Sequence, residues 1–267
     1  MSGLKYNFIP TLKKTVMKFI LITLSIALIS NLLGFLYSYI ILYTNWFSKN
    51  RLQSIKYKPS DFWERLPLIG LNIFLLVCLT VAGLWFTQGS FTMEAPTLLT
   101  FVWEFAAFMV IDDIYFYFFH RTAHENKFMY KKIHRVHHRA FNPIPLEYLY
   151  VHPLEWMGGT AGIAATALLI NFTMGEINAW PFWAFAAVRN LHELEIHSGL
   201  KSVLGQYIPF YGTTEHHDLH HSKLKGNYAS TFSFWDKIFK TDLHIIKGKV
   251  YTSAQLEEQQ LEEKKAA

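Results

Sequence analysis

The sequence predicts an all-α integral membrane protein with about four to five membrane helices and a helical cap on the cytosolic side. Two observations carry this prediction. The 267-residue chain is 51% hydrophobic and only 17% charged, whereas about a quarter of the residues of a soluble domain are charged. The apolar residues also form long uncharged runs, and about 20 such residues make a helix that crosses the bilayer.

Five apolar segments are candidate membrane helices. They are residues 19–48, 66–93, 96–119, 156–175 and 177–188. The first two segments contain no charged residue, whereas the third carries Glu104, Asp112 and Asp113. The fifth segment is too short to span alone unless it extends through Asn190 and beyond, and we expect the fourth and fifth to form a re-entrant hairpin. The first run is too long for a cleaved signal peptide, whose apolar part has about 7–15 residues.

The distribution of basic residues predicts the orientation in the membrane. Basic side chains cluster in residues 49–65 and 121–139, while residues 88–95 contain no Lys or Arg. Because cytosolic loops carry the excess of Lys and Arg, the first two stretches are expected in the cytosol and the third on the other side. The N-terminus is basic as well, with Lys5, Lys13, Lys14 and Lys18. The topology of the first segment therefore stays open.

Ten of the thirteen histidines fall into four short clusters, which we call boxes. The boxes are His120 and His124; His134, His137 and His138; His192 and His197; and His217, His220 and His221. Imidazole is costly to bury without a partner, and the boxes lie next to apolar segments. Repeated clusters in such places predict a metal site rather than ordinary packing.

The spacing within the boxes suits two metal ions. Residues at i, i+3 and i+4 share one face of an α-helix, so both histidines of the first box can point at one ion. In the second and fourth boxes, the first histidine can pair with either of the last two. Those last two are adjacent and point about 100° apart on a helix, so each could serve a different metal. The third box has i, i+5 spacing, which makes His197 the better ligand candidate and leaves His192 open.

The ligand types narrow the choice of metal. Cys78 is the only cysteine, so neither a disulfide framework nor a thiolate zinc site is expected. Imidazole suits zinc, copper, iron and nickel, and ten histidines exceed the three or four ligands that one zinc ion takes. No catalytic residue is predicted beyond the metal ligands.

Acidic residues near the boxes are candidates to orient the ligands by accepting a ring N–H. Asp113 lies two helical turns before His120, with Asp112 as the alternative. Carboxylates inside a membrane segment are expensive and usually functional. Asp218 lies within the fourth box, and the candidates that remain are His152 and Glu155.

The order of these boxes, with His-Ser-Gly at 197–199, resembles the fatty acid hydroxylase/sterol desaturase superfamily between residues 112 and 242. Several stretches look like the C-4 methylsterol monooxygenases in particular. They are residues 132–138, 147–155, 197–199, 215–221 and 226–230, followed by Trp235-Asp236. The sequence Leu-Lys-Ser after Gly199 departs from that subfamily, which tends to have an aromatic and acidic stretch there, and His192 has no fixed counterpart in it.

The resemblance implies that the histidines bind two iron ions, and that O2 is the co-substrate for oxidising an unactivated C–H bond of a membrane lipid. A 4-methylsterol, oxidised stepwise at the methyl group, is the implied substrate. Electrons would come from external NAD(P)H through a cytochrome b5-type carrier and its reductase, because the chain has no nucleotide-binding glycine motif. The basic surface at 127–139 could dock an acidic carrier or meet anionic lipid.

Three regions are expected. Residues 1–65 form an N-terminal membrane segment and basic cytosolic loop, 66–252 a fatty acid hydroxylase-type catalytic domain, and 253–267 a polar tail. Lys264 and Lys265 resemble a dilysine retrieval signal, or an ordinary charged helix end. The expected location is the endoplasmic reticulum membrane, with the metal site facing the cytosol.

Several alternatives stay open at this point. A sphingoid-base or fatty-acid hydroxylase and a sterol C-5 desaturase share most of the histidine pattern. A membrane metal transporter would place its site near the bilayer midplane, whereas three boxes lie outside the uncharged runs. A zinc hydrolase needs only three ligands, and an inactive relative would not need every box. The basic charge is attributed to membrane anchoring rather than to nucleic-acid binding.

Overall fold

A computed structural model describes the backbone of residues 8–54, 57–87, 89–205 and 207–266, and the side chains of 15–54, 57–87, 89–205 and 207–262. Some residues named above have side chains outside these ranges. They are Lys5, Lys13, Lys14, Lys264 and Lys265.

The described chain is mostly helical. Its helices are α1 (Phe8–Tyr43), α2 (Pro59–Phe86), α3 (Leu98–Glu125), α4 (Lys127–Lys132), α5 (Pro153–Met174), α6 (Ala179–Ile196), α7 (Thr214–Lys223), α8 (Phe234–Ile238) and α9 (Ser253–Ala266). Short 3-10 helices cover Ser48–Asn50, His134–Arg139 and Pro145–Leu149. Two strand pairs depart from the predicted all-α class: parallel β1 (Phe91–Thr92) and β2 (Ile177–Asn178), and antiparallel β3 (Leu243–Ile246) and β4 (Lys249–Thr252).

Within the described residues, three helices are long and apolar enough to cross a membrane: Thr15–Tyr43 in α1, and all of α2 and α5. Large apolar side chains such as Leu71, Phe74 and Phe172 are exposed on α2 and α5. Helix α6 continues beyond the predicted end of the fifth segment at Val188 to Ile196. The first charged side chain of this helix, Arg189, is paired inside the protein with Asp112 of α3.

The helix directions bring the histidine-bearing segments to one end of the molecule. Helix α1 runs parallel to α6, since Trp183 Nε1 donates to Thr23 Oγ1 at 3.0 Å while Gly34 lies against Leu194. Helix α5 runs antiparallel to α3. The pair β1–β2 lies at the opposite end, next to Phe19. Residues 44–54, 57–58, 126–152, 197–205 and 207–252 therefore gather at the other end and form what we call the histidine lobe.

Close packing of α3 against α5 depends on small residues. A Cβ atom on Gly158 would lie 2.5 Å from Phe119, and one on Gly162 would lie 2.6 Å from Asp112 Oδ1. These glycines let α5 approach the face of α3 that ends at the first histidine box. Buried aromatic side chains of α1, α3 and α6, including Phe19, Phe108 and Phe185, complete the core at the far end.

Candidate metal centre

The structure brings nine histidines into two adjacent groups. The five-histidine group contains His120, His124, His134, His138 and His220, and the four-histidine group contains His137, His197, His217 and His221. Within each group, one ring nitrogen per residue lies within 4.8 Å of every other. All nine side chains are buried except that of His124, which is partly buried. This spacing is short enough for each group to surround one ion.

Different elements supply the ligand candidates. The end of α3 carries the first box, α7 carries the fourth, and His197 caps the C-terminus of α6. The second box lies on a 3-10 helix, His134–Arg139, and not on the α-helix that its spacing suggests. Helix α4 ends at Lys132 because Ile133, with φ −121° and ψ −70°, leaves the helical region.

The adjacent histidines divide between the two groups. His138 and His220 belong to the five-histidine group, whereas their neighbours His137 and His221 belong to the four-histidine group. The rings of His138 and His221 have centroids 4.7 Å apart, so the two groups meet there. The peptide bond between His137 and His138 thus links the two groups, and so does the peptide bond between His220 and His221.

Burial keeps these histidines neutral, the form that binds metal. Burial in the lobe lowers the pKa of His137 and of His197 to about 3. Both residues therefore offer a lone pair at neutral pH. The donor set is imidazole nitrogen alone, which fits iron among other transition metals.

Acidification is expected to destabilise the metal-free protein and to release bound metal. Histidines of the unfolded chain bind protons below about pH 6.5, but His137 and His197 in the folded chain remain neutral until about pH 3. Their contribution to stability is therefore complete above pH 6.5 and is lost progressively as the pH falls toward 3. Thermal unfolding and retained metal, measured between pH 7.5 and 4.5, check this. Equal melting temperatures across that range would contradict it.

One loop supplies backbone acceptors to four histidines. We call residues 224–230 the carbonyl loop, because every second residue of it presents its carbonyl oxygen to an imidazole. The contacts are Leu224 O to His124 Nδ1 at 3.2 Å, Gly226 O to His220 Nδ1 at 2.7 Å, Tyr228 O to His120 Nδ1 at 2.7 Å, and Ser230 O to His192 Nε2 at 3.2 Å. A carbonyl only accepts, so Nδ1 of the first three rings carries the proton and Nε2 is left for a metal.

Two buried carboxylates bind the carbonyl loop and the two residues that follow it. Asp236 accepts hydrogen bonds from the backbone N–H groups of Tyr228 and Ala229 at 2.8 and 2.9 Å. Asp113 accepts from the backbone N–H groups of Thr231 and Phe232 at 2.8 and 3.0 Å. Asp113 was expected to accept from His120, but the loop lies between them and Tyr228 takes that hydrogen bond. Asp113 therefore reaches the histidine groups only through the backbone.

Of the other residues predicted to orient the metal ligands, one contacts a grouped histidine and two do not. Glu155 Oε1 accepts from His134 Nδ1 at 2.7 Å. His152 caps the N-terminus of α5, and Asp218 accepts from Gln53 at 2.6 Å.

His192 and Asp112 also lie apart from the grouped histidines. His192 lies outside both groups, with its ring against Tyr211 at 4.7 Å between centroids. Asp112 pairs with Arg189 and not with a histidine.

Replacing Asp236 by Asn is expected to lower metal affinity about 10-fold, within the range for residues that orient metal ligands. His216 Nε2 lies 3.2 Å from Asp236, and this neighbour overcomes the effect of burial and lowers the pKa of the Asp236 carboxyl. The ionised carboxylate is therefore the form that holds the loop. Metal content after dialysis against a chelator measures the effect.

Asp218→Asn is the matched control for that experiment, because Asp218 also lies within a histidine box but contacts Gln53. We expect this variant to retain metal as the unsubstituted protein does. An Asp236→Asn variant with unchanged metal affinity would show that the loop keeps its shape without the charge.

A cavity of about 590 Å³, including its open mouth, adjoins both histidine groups. Its wall contains His120, His134, His137, His197 and His217. Apolar and aromatic side chains form much of the remaining wall: Phe116, Tyr148, Val151 and Trp156. Trp156 and Gly159 belong to the first turns of α5, so the cavity extends from the histidine lobe toward a candidate membrane helix.

Sequence reasoning missed the carbonyl loop, Asp236 as its anchor and the pairing of Arg189 with Asp112. The conformation of the loop has one local signal: Gly226 and Asn227 adopt φ of 62° and 49°, a region that Gly and Asn visit more readily than other residues. No spacing rule connects that signal to a histidine more than a hundred residues earlier in the chain.

The chain is similar to several known proteins. The chain is similar to methylsterol monooxygenase 1 of Rattus norvegicus, at 34% identity over 79% of this chain and 71% of the relative. It is similar to methylsterol monooxygenase 1 of Gallus gallus, at 30% identity over 74% and 69%. It is also similar to the C-4 methylsterol oxidase of Schizosaccharomyces pombe, at 31% identity over 68% and 59%. No solved structure matches the chain significantly.

The profile of the family described as fatty acid hydroxylase matches residues 105–241. This region is about half of the chain and includes all nine grouped histidines, the carbonyl loop and both of its anchoring carboxylates. Together with relatives that are at least 30% identical over most of both chains, this match shows that the chain belongs to the fatty acid hydroxylase family.

Proposed function

We propose that this chain is a membrane monooxygenase that uses two iron ions and O2 to oxidise the C-4 methyl group of a sterol. The observation that carries the proposal is the pair of buried histidine groups beside a largely apolar cavity. The names of the similar proteins, methylsterol monooxygenase and C-4 methylsterol oxidase, support the choice of substrate.

The nine grouped histidines would hold one iron in each group. Bound iron would supply the activation of O2 that oxidation of an unactivated C–H bond requires. The chain supplies the rest: Nε2 atoms aimed inward, Nδ1 protons held by the carbonyl loop and Glu155, and a cavity that keeps an apolar substrate beside the histidines. His192 contacts Ser230 and would contribute by packing, not by ligation.

Electrons would come from NAD(P)H through a cytochrome b5-type carrier and its reductase. Basic residues of the histidine lobe support a docking site for an acidic carrier. Lys127, Lys131 and Lys132 lie on or at the end of α4, directly between the first two boxes, and Arg135 and Arg139 follow on the 3-10 helix. Anionic lipid is the competing partner for the same charges.

The histidine lobe would face the cytosol from the endoplasmic reticulum membrane. Basic residues between α1 and α2 support this orientation. The parallel arrangement of α1 and α6 favours an α1 that spans the bilayer with its N-terminal end on the far side. We retain residues 66–252 as the catalytic domain, 1–65 as its N-terminal membrane segment and 253–267 as a tail.

The test is purification in detergent, elemental analysis, and assay of a 4-methylsterol with O2, NADH, cytochrome b5 and its reductase. Close to two irons per chain and an oxidised 4-methyl group are expected. If only zinc is found, the measurement is repeated after reconstitution with iron, because zinc can displace Fe(II). Oxidation of an acyl chain or sphingoid base alone would overturn the sterol assignment, and no bound metal after reconstitution would favour a transporter or an inactive relative.

A further inference from the structure

A buried ion pair lies where α3, α5 and α6 meet, beside the cavity. Arg189 Nε donates to Asp112 Oδ2 at 2.6 Å, and the two side chains are only 15% and 5% exposed. Gly162 of α5 closes over the pair, since a Cβ atom there would lie 2.6 Å from Asp112 Oδ1. Burying two charges costs free energy that their attraction repays only in part. Among the described residues, neither Asp112 nor Arg189 forms a hydrogen bond or an ion pair with a grouped histidine, so orientation of a metal ligand does not explain the pair.

The guanidinium of Arg189 has donors available to a ligand. It lines the cavity, and among the described residues its hydrogen bonds involve Nε alone, which leaves the N–H groups of Nη1 and Nη2. Asp112 holds the guanidinium through the hydrogen bond to Nε. A planar guanidinium held in this way loses less entropy when it binds a ligand oxygen.

An acceptor lies one helical turn further along the same wall. Glu193 follows Arg189 by four residues on α6, so the two share a face. Its Oε1 accepts from Ser230 Oγ at 2.9 Å, and its Oε2 lies 3.7 Å from His197 Nδ1. Arg189, Glu193 and Ser230 all line the cavity.

This donor and acceptor fit a hydroxyl group, which accepts one hydrogen bond and donates another. Most of the remaining wall is apolar, from side chains such as Phe116, Tyr148 and Trp156. Five grouped histidines, Thr160 and Glu155 complete it, and Glu155 already accepts a hydrogen bond from His134. The ligand that fits is therefore an apolar molecule with a single hydroxyl close to the carbon that faces the histidines. A 4-methylsterol has this pattern, because its hydroxyl is on C-3, the ring carbon bonded to C-4. A plain alkyl chain lacks it.

We propose that Arg189, held by Asp112, binds the C-3 hydroxyl of the sterol together with Glu193 and thereby places the C-4 methyl group toward the histidine groups. This inference rests on the proposed function and assigns its specificity to one buried cluster. Arg189 and Glu193 are then substrate-binding residues, and Asp112 is a positioning residue.

The first test changes the substrate and leaves the protein intact. A 3-deoxy-4-methylsterol should be oxidised with a kcat/KM about 10- to 100-fold below that of the 3-hydroxy compound, the range for a lost hydrogen bond to a charged group. Equal kcat/KM values for the two compounds would overturn the inference while leaving sterol oxidation established. Failure to oxidise either compound would count against the proposed function itself.

The second test changes the protein. Arg189→Gln should retain both irons but lose the preference for the 3-hydroxy substrate, and Arg189→Lys should keep part of it. Arg189→Gln alone leaves the carboxylate of Asp112 buried without its cation, which could cause misfolding. The double variant Asp112→Asn, Arg189→Gln removes both charges and avoids this problem. Arg121→Gln is the control, because Arg121 forms an exposed pair with Glu125 on α3. A full preference for the hydroxyl in iron-loaded Arg189→Gln would refute the assignment.

Discussion

His220→Ala and His221→Ala are each expected to abolish turnover and to lower the iron content from about two ions per chain to about one, because each removes a ligand from a different group. The two residues are neighbours on α7, and both side chains are fully buried. The variants are therefore matched in burial, helix and type of substitution. Elemental analysis of each purified variant, with an assay of sterol oxidation, gives the result.

His244→Ala is the control for this pair. His244 lies on β3, where Nε2 contacts Ser253 Oγ at 2.8 Å, and it belongs to neither group. It should retain full iron and full turnover. Turnover retained by His220→Ala or His221→Ala would contradict a centre that needs both metals. Loss of both irons in each variant would show that neither ion binds without the other.

We also expect the five-histidine group and the four-histidine group to bind metal with unequal affinity. In the five-histidine group, four rings have an oxygen partner at Nδ1: His120, His124, His134 and His220. In the four-histidine group, only His197 has such a partner within the described part of the chain, Glu193 O at 2.9 Å. The Nδ1 atoms of His137, His217 and His221 are buried with no hydrogen-bond partner among the described residues. Such partners typically change metal affinity about 10- to 100-fold, so we expect the four-histidine group to lose its ion first.

The single-group variants measure this difference directly. His221→Ala leaves the five-histidine group intact, and His220→Ala leaves the four-histidine group intact. A chelator titration of each iron-loaded variant should remove iron from His220→Ala at a chelator activity about 10- to 100-fold lower than from His221→Ala. Equal affinities would show that the ring partners do not control binding here. The reverse order would show that ligand geometry outweighs them.

The sequence predicted the helices of the site better than the loops. Box spacing on α3 and α7 depends only on helical geometry, so adjacent histidines could be expected to face different ions. The apolar runs located α1, α2 and α5 within about ten residues, as expected when length and composition decide a segment. The basic N-terminal flank of α1 conflicted with a simple orientation rule, and no local pattern could decide that case.

Contacts between distant parts of the chain determine the partners of Asp113 and Arg189, which the sequence could not predict. The position of Asp113 relative to His120 on α3 predicted a direct contact, but residues 231–232 occupy the carboxylate. The predicted fifth segment ended at Val188, whereas α6 continues to Ile196 and Arg189 pairs with Asp112 of α3. Both outcomes depend on contacts between residues more than 70 positions apart, which spacing along one helix does not reveal.

The carbonyl loop makes the centre tolerant of one kind of genetic change and vulnerable to another. Its acceptors at positions 224, 226, 228 and 230 are main-chain atoms, so a missense variant cannot delete them. Their alternate spacing, however, depends on chain length. An in-frame deletion of one residue between 225 and 229 would move the later acceptors out of register with their histidines. Coding variants that shorten this stretch should therefore be far more damaging than a substitution of Leu224, whose side chain is exposed.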